Sequence, residues 1–254
     1  MERLIADLPV VTGPDWNGVS YFCTTRAGGV GVAPHDTLNL GLRAEDNPEA
    51  VAENRRRVRA AVPAAPLWLR QVHGSEVVDA DAIDVPAEPA VDASVTAQPG
   101  RVLAIMVADC LPVLIADTEG KVLGAAHAGW RGLAGGVLEH TLDAMRAKAP
   151  QAAGWRAWVG PGIGPQHFEV GQDVLDAFTA DDPATARFFA PRAGAAGKWL
   201  ADLAGLADFR LRRAGVQEVS LSGECTVTRK DRYFSYRRDG VTGRMAMLAW
   251  LHPV

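Results

Sequence analysis

Between Val102 and Gly132 two apolar runs, each short enough for a buried strand, end or pause on polar side chains: Asp109-Cys110 and His127. That pattern predicts adjacent strands that bring a thiol and an imidazole together at one edge of a sheet. Upstream, residues 18–25 mix aromatic and β-branched types and predict a strand leading to a turn at Gly28-Gly29. Asn47-Pro48-Glu49 reads as a helix start, and Val51, Val58 and Val62 mark the buried side of that helix, with Asn54 and Arg55 near it. Leu67-Trp68-Leu69 opens another expected strand, running through Gln71, Val72 and His73. Alternation along it would set Gln71 and His73 on one face. Residues 79–91, rich in Asp, Ala and Pro, read as an exposed loop, with Asp92 and Thr96 as turn or cap residues.

Leu133, Val137, Leu138, Leu142 and Met145 recur at helical spacing and predict one amphipathic helix of about four turns, beginning near Gly129-Trp130-Arg131-Gly132. Further on, 155–159 reads as a strand, 173–180 as a short helix and 191–197 as a loop. Leu200, Leu203, Ala207 and Leu211 suggest a helix stopping at Gly215. Strands over 218–222 and 245–251 complete the pattern. Gly160-Pro161-Gly162-Ile163-Gly164 lacks the spacing that opens a dinucleotide-binding helix, so a nucleotide-cofactor fold is rejected.

The 254 residues carry a net charge of −4, which gives no field for a phosphate backbone and argues against nucleic acid as a partner. The longest apolar run falls far short of a membrane span, and nothing near Met1 resembles a secretory signal, so a cytoplasmic, membrane-free protein is expected. Three scattered cysteines, Cys23, Cys110 and Cys225, argue against a disulfide framework.

The candidate chemistry centres on His73, Cys110 and His127. One sulfur and two imidazoles suit a three-ligand zinc site that keeps a coordination position open. Asp109 or Asp92 would accept a hydrogen bond from a ligating imidazole, or move protons. The same atoms without metal suit a cysteine hydrolase in which His127 or His73 activates Cys110, and a buried inert thiol is the plainer alternative. Arg26 beside Gly28-Gly29 offers anion capture, or a surface arginine at a turn. Arg131 near a helix start offers a second anion contact. Arg229, Lys230, Arg232, Tyr233, Tyr236, Arg237, Arg238 and Arg244 can bind phosphate and stack a base, or form a solvated hairpin over two buried tyrosines. His35, in a loop of turn formers, is expected to be solvated.

The motifs Thr24-Thr25-Arg26, Asn39-Leu40-Gly41, Gln71-Val72-His73-Gly74, Asp109-Cys110-Leu111-Pro112-Val113, His127-Ala128-Gly129-Trp130-Arg131-Gly132 and Ser235-Tyr236-Arg237-Arg238 together resemble the YfiH-type laccase-domain family along nearly the whole chain. The resemblance implies an α+β fold, layered α/β/β/α with mixed sheets, as a single domain over 1–254, similar to the catalytic domain of cytotoxic necrotising factor. It implies metal ligands at His73, Cys110 and His127, usually for zinc. It also implies purine nucleoside phosphorolysis, including 5′-methylthioadenosine, with adenosine deamination; some members are linked to peptidoglycan-precursor editing. Expected substrates are a purine nucleoside and phosphate, contacted by Arg26, Asn39, Gln71, Arg131, Tyr233 and Arg237, with Cys110, His127 and Asp109 as catalytic candidates. A monomer or weak homodimer is expected. The family's older polyphenol oxidase label needs copper centres with about ten histidines between them. Six are present, so that chemistry is disfavoured, although copper(II) can occupy a zinc-type site.

Overall fold

The computed structural model describes residues 2–253. Two sheets lie face to face with helices outside both. An antiparallel sheet of five strands runs in the order Glu2–Ile5, Leu8–Val11, Val19–Thr24, Met245–Leu251, Leu103–Val107. A mixed sheet of six runs Glu218–Leu221, Trp155–Val159, Leu111–Asp117, Leu123–Ala128, Ala93–Thr96, Val77–Asp79, with parallel pairs only at its two ends. A small three-stranded sheet, Glu169–Gly171, Lys198–Ala201 and Phe189–Pro191, packs beside them. This is the expected α+β layering. No helix among the described residues is long and apolar enough to cross a membrane.

Period-two side-chain alternation divides the core into layers. Leu114 and Ala116 point between the sheets, where they meet Leu103, Ile105, Val107, Met245 and Met247. Val113 and Ile115 point the other way, under the helices Val137–Lys148 and Leu203–Arg213. On the far side of the five-stranded sheet, Ala104, Ala246, Leu248 and Phe22 are covered by the helix Pro48–Ala60 through Val58 and by Leu38 and Leu40. Strands buried on both faces explain why the central stretch reads as nearly unbroken apolar sequence.

The helix Pro48–Ala60 starts as its sequence predicts, with the Asn47 side chain accepting from the amides of Glu49 and Ala50. The helix expected from Leu133 to Met145 is in fact two, Trp130–Ala134 and Val137–Lys148, broken at Gly136 with φ +87°. Both pieces bury the same side, which is why the periodicity reads through a left-handed residue that no single helix accommodates. Leu200 belongs to a strand, and the following helix begins only at Leu203 behind Asp202, whose carboxylate accepts the Gly205 amide. Residues 79–91 include a short 3-10 turn, Ala80–Ala82. The expected strand from Leu67 through His73 is absent: Leu67 makes a single bridge to Leu103, and the chain then runs as an irregular loop. His35 is buried, not solvated, with Nε2 2.6 Å from the Ala44 carbonyl.

Asn54 ties the long loop 26–47 to the helix that covers it. Fully buried, it accepts from the Val30 amide and donates to the carbonyls of Thr37 and Asn39. Asn54→Ala leaves the Val30 amide and the Asn39 carbonyl without this partner, while the Thr37 carbonyl keeps the Gly31 amide, and should destabilise the protein by about 3 kcal/mol in denaturant unfolding,.

Candidate metal centre and the cavity above it

The chain crosses from one large sheet to the other at Ala108-Asp109-Cys110, between the strands Leu103–Val107 and Leu111–Asp117. Asp109 sits at φ +99° in that crossing. Pro112 is paired in register with His127 on the neighbouring strand, so Cys110 and His127 meet at the same sheet edge, as the sequence predicts. His73 reaches them from the irregular loop at φ +61°. One ligand atom from each of the three lies within 4.8 Å of the others. The two imidazoles stand edge to face, 4.9 Å between centroids.

Asp92 holds this group together. Its fully buried carboxylate accepts from the amides of Val72 and His73 at 3.0 Å and of Gly74 at 2.7 Å, and from His127 Nδ1 at 2.8 Å. The loop carrying one histidine and the ring of the other are therefore set by one side chain. With Nδ1 committed to Asp92, the Nε2 lone pair of a neutral His127 is the one left for a metal. Space comes from two glycines. A Cβ on Gly129 would stand 2.9 Å from Cys110 Sγ and 3.1 Å from His73 Cδ2, and one on Gly132 would stand 2.5 Å from the Gly74 carbonyl. The side chains thus form a cradle of two nitrogens and one sulfur that fits a borderline-soft divalent cation.

The electrostatics suit the same purpose. Burial raises the Cys110 thiol, but His127 and then His73 outweigh it and bring it down to about 6. Burial likewise lowers the His127 imidazole, while Cys110 and Asp92 outweigh it and lift it to about 9. Asp92 is held below the ordinary carboxylate range, because its bonds to His127 and the loop amides overcome its burial. Without metal, thiolate and imidazolium coexist between these two limits. A cation replaces the imidazolium proton.

Above the group lies a cavity of about 540 Å³, the size of a small-molecule site. Met106, Ile163 and Phe168 form an apolar part of its wall, and Tyr236, Arg237 and Arg244 a polar one. Asp109 lines it too, with Oδ1 accepting from the Thr226 hydroxyl at 2.6 Å and Oδ2 from the Arg237 amide at 2.7 Å. Gln71 reaches the cavity, but its side-chain amide is paired both ways with the backbone of Met106. Four residues expected at the substrate lie elsewhere. Arg26 is outside the lining, bound to the Asp36 side chain and to the carbonyls of Asp36 and Lys230. Asn39 is buried beneath the wall, Tyr233 is buried against Glu224, and Arg131 lies outside over the Trp130 ring. Phe234, next to Tyr233 in the chain, is fully buried as well.

Tyr236 and Arg244 were present in the basic-aromatic run, but nothing in the run distinguished them from Tyr233, Arg232 and Arg238, which serve the fold. Arg232 pairs with Glu224, and Arg238 donates to three carbonyls. Arg70 and Phe168, also in the wall, had no sequence signal at all.

A family model described as multi-copper polyphenol oxidoreductase laccase matches residues 20–252. The chain belongs to this laccase-domain family. Among its relatives, a purine nucleoside phosphorylase from Pseudomonas aeruginosa, PA4543, is 47% identical over 241 residues, 94% of this chain and 97% of that protein. Purine nucleoside phosphorylase YfiH from Escherichia coli is 45% identical over 243 residues, with the same coverage of each. The crystal structure of Neisseria meningitidis protein NMB0706 superposes with a TM-score of 0.87 at 45% identity, covering 96% of this chain and 98% of that one. YlmD from Geobacillus stearothermophilus gives 0.84 at 30% identity, covering 97% and 96%. In this laccase-domain chain the described residues contain one three-residue group able to hold a metal. The other four histidines bond elsewhere, to the Ala44 carbonyl, the Ser75 carbonyl, Thr228 and Ser20.

Three outcomes follow from this geometry. Asp92→Asn loses the acceptor pair that serves ring and loop together, and should weaken zinc binding about 10–100-fold in competition with a chromophoric chelator. In metal-free protein the thiolate absorbance of Cys110 should rise with a midpoint near 6. Between about 6 and the His127 limit of about 9, zinc binding should release about one proton, read by calorimetry in buffers of different ionisation enthalpy; affinity then rises with pH toward the upper limit.

Proposed function

We propose that this chain is a metal-dependent purine nucleoside phosphorylase, with zinc as the metal and copper able to take its place. The observation that carries the reading is the His73–Cys110–His127 group at the base of a cavity with apolar, aromatic and arginine walls, and the names of the relatives agree with it. In the reaction a phosphate oxygen bonds to ribose C1′ while the C1′–N9 bond breaks. Its electron pair leaves with the purine, which takes up a proton, and ribose 1-phosphate is released.

His73, Cys110 and His127 would hold the metal, which supplies Lewis-acid polarisation and a fixed positive charge. The exposed Tyr236 ring would stack the base, Phe168 adds an apolar wall, and the arginines of the wall offer positive charge to phosphate,. Asp109 was a candidate for proton transfer. Since both its oxygens accept hydrogen bonds, we assign it a positioning role, setting Arg237 from one side of the crossing and Cys110 from the other. The apolar wall at Met106 and Ile163 suits a methylthio substituent, so 5′-methylthioadenosine is included among the substrates. Adenosine deamination, exchanging the C6 amine for a water oxygen with release of ammonia, is the further activity in the proposal. The protein would act in the cytoplasm as a monomer or weak homodimer.

The thiolate–imidazolium pair of the metal-free state favours a second reading, a Cys110–His127 hydrolase acting on an amide or a peptidoglycan precursor. Chelation separates the two. Zinc-loaded protein should convert inosine and phosphate to hypoxanthine and ribose 1-phosphate, and chelator, Cys110→Ala or His73→Ala should remove metal and at least 99% of turnover, about 3 kcal/mol of transition-state stabilisation. Full inosine turnover without metal would overturn the metal dependence; amide hydrolysis that survives chelation and is lost on alkylation of Cys110 would leave the thiol hydrolase standing instead.

A further inference from the structure

We infer that Arg244 is the anion anchor of the cavity, the side chain that seats phosphate beside the metal centre. Naming phosphate rests on the phosphorylase reading; the anchor itself rests on geometry. Arg244 is half-buried in the cavity wall. Its Nη1 donates to the carbonyls of Thr242 at 2.8 Å and Gly243 at 3.0 Å. Nε and Nη2 stay accessible and have no hydrogen-bond partner among the described residues. Burial disfavours its charged form, and the negative groups that reach it through space, Cys110 first and then Asp109, make no ion pair with it. Asp109 has already turned its oxygens to Thr226 and Arg237.

The other arginines of the wall are provided for. Arg43 pairs with Glu88 at 3.3 Å, and Arg237 donates to the carbonyls of Glu169 and His167. Arg70 is exposed, so water serves it. Arg244 alone among these four combines desolvation with the lack of a partner anion. A guanidinium in that state is costly until an anion arrives, and its two free donors match the paired oxygens of an oxyanion.

The surrounding residues are built to hold it there. Asn39, fully buried, accepts with Oδ1 from the amides of both Gly41 and Arg244, at 2.9 and 2.8 Å. The Leu40 amide donates to the Arg244 carbonyl. A Cβ on Gly41 would stand 2.7 Å from Arg244 Cγ, so the stem of the arginine lies where only glycine leaves room. Asn39 and Gly41 are thus positioning residues for Arg244. Asn39 thus acts on the cavity through that arginine, whereas Gly41 also lines it.

The test is calorimetric titration of zinc-loaded protein with inorganic phosphate, for the wild type and for R244Q, R244K and G41A, alongside metal analysis, thermal unfolding and the KM for phosphate. R244Q should weaken phosphate binding about thirty-fold or more, R244K by an intermediate factor because its charge is kept and the fork lost, and G41A measurably. Metal content should be unchanged in all three. Wild-type affinity in a folded R244Q protein, or no phosphate binding by the wild type, overturns the anchor. If R244Q fails to fold, an R244K protein with wild-type phosphate affinity and KM overturns it equally. Phosphate binding that depends on Arg244 without any inosine cleavage would overturn the phosphorylase reading and leave the anchor in place.

Discussion

One buried carboxylate, Asp92, governs the geometry of the centre. It accepts four hydrogen bonds, three from consecutive loop amides and one from an imidazole, so the position of His73 and the orientation of His127 are a single structural fact. The His127 ring, and after it the amides of Gly74 and Val72, also keep it ionised in a place where burial alone would neutralise it,. The loop that carries His73 has no ladder of its own to rest on. Its backbone amides find their partner in this side chain, and the left-handed conformation at His73 is held by the same bonds,.

Around that point the two sheets divide the work. The six-stranded sheet supplies Cys110 and His127 at matched register, and its crossing from the five-stranded sheet supplies Asp109. The five-stranded sheet and its helix carry the loop 26–47, whose Gly41–Ala44 segment forms another wall of the cavity. Distant segments are fastened together around the cavity by short polar links: Thr226 and Arg237 to Asp109, Gln71 to Met106, Asn39 to Arg244. The cavity therefore lies where layers meet, and its wall carries both charged and apolar side chains. In such a place water is partly excluded, and unpaired charges act strongly on whatever enters.

The thiolate and imidazolium of the metal-free state also account for the pull between two chemistries. A cysteine lowered to about 6 beside a histidine raised to about 9 is the arrangement a thiol nucleophile needs, and the proximity that creates it is what brings three ligand atoms to one cation. What decides between them is occupancy by metal, since a cation takes the sulfur lone pair that a nucleophile would use.

Much of this was written locally in the chain. The strand pair around Cys110 and His127, the Asn47 cap, the helix Pro48–Ala60 and the terminal strand Met245–Leu251 follow from periodicity and capping, which act over a few neighbouring residues. Residue type offered the His73, Cys110 and His127 set, and the motif resemblance added to it and implied the layered fold. Local signals failed where long-range partners override propensity: His73 lies in a loop because Asp92 captures its amides, and the helix over Leu133–Met145 breaks because Gly136 turns left-handed without disturbing the buried stripe. They failed most at the cavity wall. Arg26, Asn39, Arg131, Tyr233, Arg237 and Arg244 look alike as polar or aromatic residues in motifs, and only the packing of distant segments decides which of them meets a carbonyl, a carboxylate or open space. The sequence alone determined which atoms are available for chemistry, because donor type belongs to the side chain; the tertiary structure decided which of them face one another, because partnership depends on contacts between residues far apart in the chain.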